Sequence, residues 1–272
     1  MYPELLRLGP FVISSFGFMM VVAFGVAYYF IEKESQGQKW PPNLAADMVF
    51  WAALGGIAGA KLYYLIENIG RGSASNMAGL GEIFAGLFTL NFGKVAAGIQ
   101  NFGAGLVFFG SLIGGMLAVT ILLRRRGVAW MPTADVLAPY LMLGYAVGRI
   151  GCFLVGDDYG VPSSLPWAVA FPNGLPPTLV PVHPTQIYEV ILGLIIFTFL
   201  YRMRGKIAFT GQLFATYLIL AGVERFFIEI IRTNDRYLLG LTGAQWIGMM
   251  MVGVGGYLFY ARTGSGAPAP SQ

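Results

Sequence analysis

Polar residues interrupt this chain only at long intervals, and the apolar runs between them have lengths suited to hydrocarbon. A helix needs roughly 17–25 residues to cross a bilayer. Seven stretches read as such spans: 11–31, 45–66, 103–123, 136–153, 187–201, 211–231 and 243–260, the fifth of them short. The pattern therefore predicts an all-α integral membrane protein with seven transmembrane helices. Between the second and third spans, the apolar run 83–90 is too short to cross; flanked by Gly and Asn, it suits an interfacial or re-entrant element. The segment 155–185 is rich in Pro and Gly and carries no Lys or Arg. Its prolines remove conformational freedom, so it is expected to form a fixed cap rather than a tether.

No linker separates two soluble domains, which predicts one membrane domain over 1–262, with external segments 67–100 and 155–185 and a disordered cytoplasmic tail over 263–272. The first apolar run is too long for a signal-peptide core, so it reads as retained.

Composition agrees with lipid as the solvent. Of the 272 residues 56% are hydrophobic and 11% charged, against about 45–50% and about 25% in soluble domains. A net charge of +4, spread along the chain, gives no footprint for nucleic acid. What carries information is the distribution of Lys and Arg between the two sets of loops. One side holds Lys33, Lys39, Arg124, Arg125, Arg126, Arg202, Arg204, Lys206 and Arg262; the other holds Arg7, Arg71, Lys94, Arg232 and Arg236. Nine against five places the amino terminus outside and the carboxyl terminus in the cytoplasm, as seven crossings require. The single Cys152 excludes an intramolecular disulfide and a multi-cysteine metal site, and its simplest reading is a small buried side chain. No metal or nucleotide motif appears, so no cofactor is expected. Many of the 38 glycines fall inside spans, where they let helix backbones approach closely.

The charges inside the spans ask for explanation, because one at a helix centre costs on the order of 2.5–3.5 kcal/mol on insertion scales. The topology brings Lys61, Arg149, Glu189, Arg225, Glu229 and Arg232 to roughly one outer layer. Arg225, Glu229 and Arg232 follow i, i+4, i+7 spacing, which on a continuous helix forms one stripe with Glu229 able to pair either arginine. For Lys61, Arg225 and Glu229 the residues alone leave two readings, a structural ion-pair network that holds helices together, which is the simpler, and a functional role. Arg149 and Arg232 adjoin polar external segments, where a fork of donors can grip a phosphate. His183, the only histidine, opens the run His183-Pro184-Thr185-Gln186-Ile187-Tyr188-Glu189. That run fits helix-start chemistry, yet it enters the same layer as the arginines. Asp157 and Asp158 follow the fourth span directly. They are either a solvated turn or a carboxylate pair that raises one pKa toward the range of a general base.

These motifs, in order, resemble the prolipoprotein diacylglyceryl transferase family: Gly59-Ala60-Lys61-Leu62-Tyr63-Tyr64, Gly110-Ser111-Leu112-Ile113-Gly114-Gly115, Gly148-Arg149-Ile150-Gly151-Cys152-Phe153-Leu154, the His183 to Glu189 run, and Arg225-Phe226-Phe227-Ile228-Glu229 leading to Arg232. The resemblance implies a seven-helix enzyme of the bacterial inner membrane. Such an enzyme moves the diacylglyceryl group of phosphatidylglycerol onto the lipobox cysteine thiol of a preprolipoprotein signal peptide and releases glycerol phosphate, the first step of lipoprotein maturation. By motif position it makes Arg149, Arg225, Glu229, Asp157, Glu189 and His183 the catalytic candidates. Arg149, Arg225, Arg232, Gly160, Gln186 and Tyr188 are the lipid-binding ones, Arg232 in a supporting role.

The chain departs from the family pattern at Phe109, where studied members have His, at Phe16 in place of a first-helix Tyr, and at Cys152 and Val155 in place of Asn. A base is then expected from Asp157, Asp158, Glu189, Glu229 or His183. The alternatives are a lipid- or partner-binding paralogue without catalysis, and a small-molecule transporter, for which no repeat symmetry speaks.

Overall fold

The computed structural model describes residues 2–38, 40–67, 74–103 and 108–263. Lys39, Arg71 and the tail 264–272 lie outside the described residues, as does the side chain of Phe109. In chain order the elements are β1 (Glu4–Leu8), β2 (Phe11–Ser14), α1 (Ser15–Ser35), α2 (Leu44–Glu67), α3 (Ala74–Phe88), α4 (Phe92–Gly103), α5 (Phe108–Arg125), α6 (Trp130–Val155), β3 (Val169–Phe171), β4 (Thr178–Val182), α7 (Thr185–Met203), α8 (Gln212–Ile228) and α9 (Gly243–Thr263). The chain is mostly helical, and α1, α2, α6 and α7 with the 3₁₀ turn after it are long and apolar enough to cross a membrane. The helices α5, α8 and α9 stand where the other three spans were expected.

Boundaries shift where capping chemistry overrides hydropathy. The first helix begins four residues later than the apolar run, because Phe11–Ser14 is extended and Ser14 caps α1 by accepting a hydrogen bond from Gly17 N at 3.1 Å. The fourth span extends at both ends to Trp130–Val155 and stops at Gly156, which takes the left-handed conformation at φ 76° while its N–H donates to Cys152 O. The sixth stops early at Ile228, and Glu229–Ile231 forms a 3₁₀ turn that ends at Arg232 in extended backbone.

The chain forms two compact units. The unit made of 1–5, 13–39 and 129–272 packs α1 on α6, α6 on α7 and α8, and α8 on α9. Its core is small and aliphatic: Ala138 and Met142 from α6, Ile196 and Leu200 from α7, and Leu213 and Ala221 from α8. Asp135 on α6 caps α8 across the bundle, its carboxylate accepting from Gly211 N at 2.5 Å and Phe214 N at 2.9 Å. A Cβ on Gly222 would stand 2.5 Å from Gly248 O, so this pair of glycines sets how closely α8 and α9 cross. At the end of α1 away from Ser15, Glu34 accepts from Arg204 at 2.5 Å and from the Tyr140 hydroxyl at 3.1 Å.

The segment after α6 carries a two-stranded antiparallel sheet, with Val169 opposite Val182 and Phe171 opposite Thr178. Phe171 is fully buried and fastens this segment: Tyr159 stacks on it at 5.3 Å, and Phe153 from α6 meets its edge at 5.9 Å. The expectation of a fixed structure here rested on proline; aromatic packing onto α6 supplies the anchor.

In the unit made of 6–12 and 40–128, α2 packs on α5 and α3 on α4. Gly59 of α2 meets Gly110 and Gly114 of α5 so closely that no Cβ fits, and at the other end of the pair Arg126 is bridged to Asp47. The apolar run 83–90 belongs to a helical hairpin, α3 and α4, turned at Leu90 with φ 51°. Lys61 is buried in this unit with its ammonium over the Tyr64 ring, 5.4 Å from the centroid.

Candidate active site

Glu189 is the hub. It lies one turn inside α7, where the backbone is already saturated by helix bonds, and its side chain is 0% exposed. Its Oε1 takes Arg225 Nη1 at 3.0 Å, with Arg149 Nη2 at 3.3 Å and Arg232 Nη1 at 3.7 Å. A buried carboxylate of this kind is tolerable only when cations face it, and here three do so from α6, α8 and the turn after α8.

The counter-charges are spread so that each arginine touches at least two carboxylates, Arg232 three. Arg149 Nη1 donates to Asp158 Oδ2 at 2.8 Å, and its guanidinium lies 5.1 Å from the centroid of the Tyr145 ring. Arg225 Nη2 meets Glu229 Oε2 at 3.1 Å, which is the i, i+4 pair anticipated from the spacing. Arg232 bridges to Asp158 and stands 3.8 Å from Glu229, not as the third residue of a helical stripe but because the 3₁₀ turn swings it back. Asn234 donates to the other oxygen of Glu229 at 2.6 Å. Side-chain exposure separates the arginines: 14% for Arg149, 21% for Arg225 and 3% for Arg232. The first two can reach a ligand, while Arg232 is sealed.

Asp157 and Asp158 leave α6 through the left-handed Gly156, and Asp158 itself has φ 63°. Their environments differ. Burial and the neighbouring Asp158 push Asp157 up to about 6. Burial also acts on Asp158, but Arg232 and Arg149 outweigh it and hold that carboxyl below its usual value. Oδ1 of Asp157 is buried without a hydrogen-bond partner, while Cys152 lies within hydrogen-bonding reach of the same carboxyl. The sulfur of Cys152 and the two aspartates place ligand atoms within 4.8 Å of one another. Arg149 Nη1 sits 3.6 Å from that sulfur and 2.8 Å from Asp158, so a guanidinium already faces two of these three groups.

The histidine run supplies scaffolding. Gln186 is buried and donates to Asp157 O, and Thr185 Oγ1 donates to Asp158 O at 2.7 Å, so α7 clasps the turn that carries the aspartates. Neither His183 nor Pro184 caps α7 with a side chain. His183 Nδ1 instead pairs with the Tyr188 hydroxyl at 3.2 Å, which also accepts from Trp167 Nε1 at 2.8 Å. The backbone of His183 is bonded to Gly160 and Val161. Gly160 also bridges to Arg232, and a Cβ there would stand 2.6 Å from Ile231 O and 3.0 Å from His183 Cβ. Only glycine admits that approach.

A family model described as prolipoprotein diacylglyceryl transferase matches residues 3–261. The chain belongs to this family. Among curated relatives, the phosphatidylglycerol–prolipoprotein diacylglyceryl transferase of Bordetella avium is 31% identical over 96% of this chain and 94% of its own. Those of Clostridium tetani and Coxiella burnetii are each 29% identical over 95% of this chain, covering 97% and 94% of their own lengths.

Within this member of the diacylglyceryl transferase family, two site residues escaped the sequence reading. The Tyr145 hydroxyl donates to Glu189 Oε1 at 2.8 Å and lies 3.3 and 3.4 Å from the oxygens of Glu224, which is 7% exposed. The signals were present. Tyr145 precedes Arg149 by four residues and so shares its helix face, and Glu224 is a carboxyl inside an apolar span, subject to the same cost as its neighbours. Of the departures from the family pattern, Phe16 packs against the α6 backbone at Gly151, one turn from the active-site end, and Cys152 lies under Arg149.

Proposed function

We propose that this chain, as a phosphatidylglycerol–prolipoprotein diacylglyceryl transferase, works through an arginine pair, Arg149 and Arg225, that holds the lipid phosphate, with Asp157 as the base. The reaction takes the diacylglyceryl group of phosphatidylglycerol to the lipobox cysteine thiol of a preprolipoprotein and releases glycerol phosphate. The family match over nearly the whole chain carries the activity. The cluster of three arginines on one buried carboxylate supports the assignment of the phosphate site.

The chemistry follows from the charges. Asp157, near-neutral in its titration and with one oxygen unpartnered, takes the thiol proton. The thiolate attacks the glyceryl carbon that bears the phosphate ester; the S–C bond forms as the C–O bond breaks, and the electron pair leaves on the phosphate oxygen. Arg149 and Arg225 stabilise the charge gathering there, already oriented by Glu189, Asp158 and Glu229 and so with little reorganisation during the reaction. Proton balance is completed when Asp157 releases its proton to water. Arg232 stays behind the pair and keeps Asp158 and Glu189 in register. Gln186 and Gly160 hold the aspartate turn against α7 and Arg232, while His183 and Tyr188 brace the adjoining cap.

The same reading places the enzyme in the bacterial inner membrane with seven spans, α5, α8 and α9 joining the four long apolar helices, the amino terminus outside and the carboxyl terminus in the cytoplasm. It is one membrane domain whose segments 67–100 and 155–185 lie external. The aspartates and arginines then meet the leaflet from which a signal peptide presents its cysteine.

The direct test uses purified protein, a lipobox peptide and phosphatidylglycerol labelled separately in the acyl chains and in the terminal glycerol. Acyl label on the peptide cysteine with terminal label released as glycerol phosphate is the expected result. Absence of acyl label on the peptide, with lipid still bound, would instead indicate a lipid-binding paralogue.

A further inference from the structure

The hydroxyl of Tyr145 stands between two carboxyl groups but has one hydrogen to give. It lies 2.8 Å from Glu189 Oε1 and 3.3 and 3.4 Å from the two oxygens of Glu224. The shorter contact, to the oxygen that also faces three guanidinium groups, is where the hydroxyl hydrogen goes. Glu224 then faces the oxygen lone pairs of Tyr145. Two ionised oxygens in that position would be left without a donor in a buried site, because among the described residues Glu224 makes no ion pair and no other hydrogen bond.

Charge counting leads to the same place. Arg149, Arg225 and Arg232 are matched by Asp158, Glu189 and Glu229, each within ion-pair distance of at least one guanidinium. These ion-paired groups sum to zero before Asp157 or Glu224 is counted, so an ionised Glu224 would add negative charge that no guanidinium is left to match. The groups facing Glu224 are Tyr145 and Arg149 from α6, Glu189 from α7, and Tyr217 and Arg225 on its own helix.

We infer that Glu224 is a protonated positioning residue: its carboxyl O–H donates to Tyr145, whose hydroxyl donates to Glu189, and this relay fixes the carboxylate that aims Arg149 and Arg225. Loss of the Glu224 proton turns the Tyr145 hydroxyl toward the new carboxylate, withdraws a donor from Glu189 and loosens the arginine pair. Neither residue touches the reacting atoms. The relay makes the site sensitive to alkaline pH, and its effect on rate rests on the transferase reading above.

The test has two arms. In the first, infrared difference spectroscopy of purified protein at neutral pH compares wild type with Glu224→Gln; a protonated-carboxyl C=O band present in wild type and lost in the variant is expected, and its absence from wild type overturns the inference. In the second, transfer rates are followed against pH. Glu224→Leu and Tyr145→Phe are expected to lower the rate about tenfold or more, the scale of one hydrogen bond to a charged group. Glu224→Gln, whose amide N–H still donates to Tyr145 and does not titrate, recovers most of what Glu224→Leu loses and flattens the alkaline limb. A Gln variant as slow as the Leu variant, or an alkaline limb unmoved by it, contradicts the relay. The infrared arm decides even in a chain that transfers nothing, so a failure of the transferase reading and a failure of this one leave different signatures.

Discussion

Nη1 of Arg225 lies 3.0 Å from Oε1 of Glu189, a carboxylate with no solvent exposure at all. A pair of this kind contributes little net stability compared with apolar residues of the same shape, because desolvating both ions offsets their attraction. Breaking it is another matter, since the partner is left as an uncompensated buried charge. The geometry is therefore understood as aim: Glu189 gathers guanidinium groups from separate elements onto one oxygen and orients the two that can reach a ligand.

Glu189→Gln should consequently damage both fold and function. Three arginines lose their common counter-charge, with a cost of about 3–5 kcal/mol for an unpaired buried ion. Thermal unfolding in detergent should show a clear fall in midpoint, and transfer should be lost. A variant as stable and active as wild type would remove Glu189 from the centre of the site.

Arg149→Lys is predicted to lose at least tenfold in transfer rate despite keeping the charge. Arg149 meets Asp158 through Nη1 and Glu189 through Nη2. An ammonium presents one point charge and cannot span both acceptors while still facing a phosphate. Steady-state kinetics of the purified variant check this, with the loss expected in kcat/KM.

The acid limb of the rate profile should belong to Asp157. Burial and Asp158 hold its carboxyl at about 6, so the basic form needed to accept a thiol proton is lost as pH falls through that value. Activity should rise with pH through about 6 in wild type, and Asp157→Asn should be inactive across the range. The sign for stability is the reverse: with its folded value raised above the usual carboxylate range, Asp157 favours the fold most at low pH and loses that contribution as pH rises through the folded value.

Gly160→Ala should loosen the join between the aspartate segment and Arg232. The added methyl would stand 2.6 Å from Ile231 O and 2.9 Å from Thr185 Cγ2, and backbone on one side must move, at a cost of about 1–3 kcal/mol. Faster proteolysis after Val155 with reduced transfer is the expected outcome. Unchanged protease sensitivity would show that the join tolerates a side chain.

Hydropathy located the long helices because lipid demands long apolar stretches, and it misplaced their ends because ends are settled by local hydrogen bonding; of the α3 and α4 hairpin it gave only the short run 83–90. Ser14 delays α1, Gly156 terminates α6, and a 3₁₀ turn replaces the last turn expected of the sixth helix. Arg149, Glu189, Arg225 and Glu229 were legible for an energetic reason, a charge in a span being too costly to be incidental; Glu224, subject to the same cost, was passed over, and Asp157 and Asp158 stood out only as an adjacent pair after the fourth span. The partners of these groups were not legible. The meeting of Arg232 with Asp158 depends on that 3₁₀ turn and on the left-handed backbone at Asp158, neither of which spacing reveals. Tyr145 went unnoticed because a tyrosine in a membrane helix costs nothing remarkable until two carboxyls converge on its hydroxyl. Lys61 shared the cost argument with the arginines, and the structure shows it buried in the other compact unit over Tyr64.

The central claim is that Arg149 and Arg225 hold the lipid phosphate, and it is tested most directly by measuring phosphatidylglycerol binding and diacylglyceryl transfer side by side for wild type, Arg149→Ala and Arg225→Ala. The account predicts that each variant, still folded, loses affinity for phosphatidylglycerol but not for diacylglycerol, which lacks the phosphate, and that transfer falls with it. Variants that bind both lipids as wild type does and still transfer the diacylglyceryl group would contradict it.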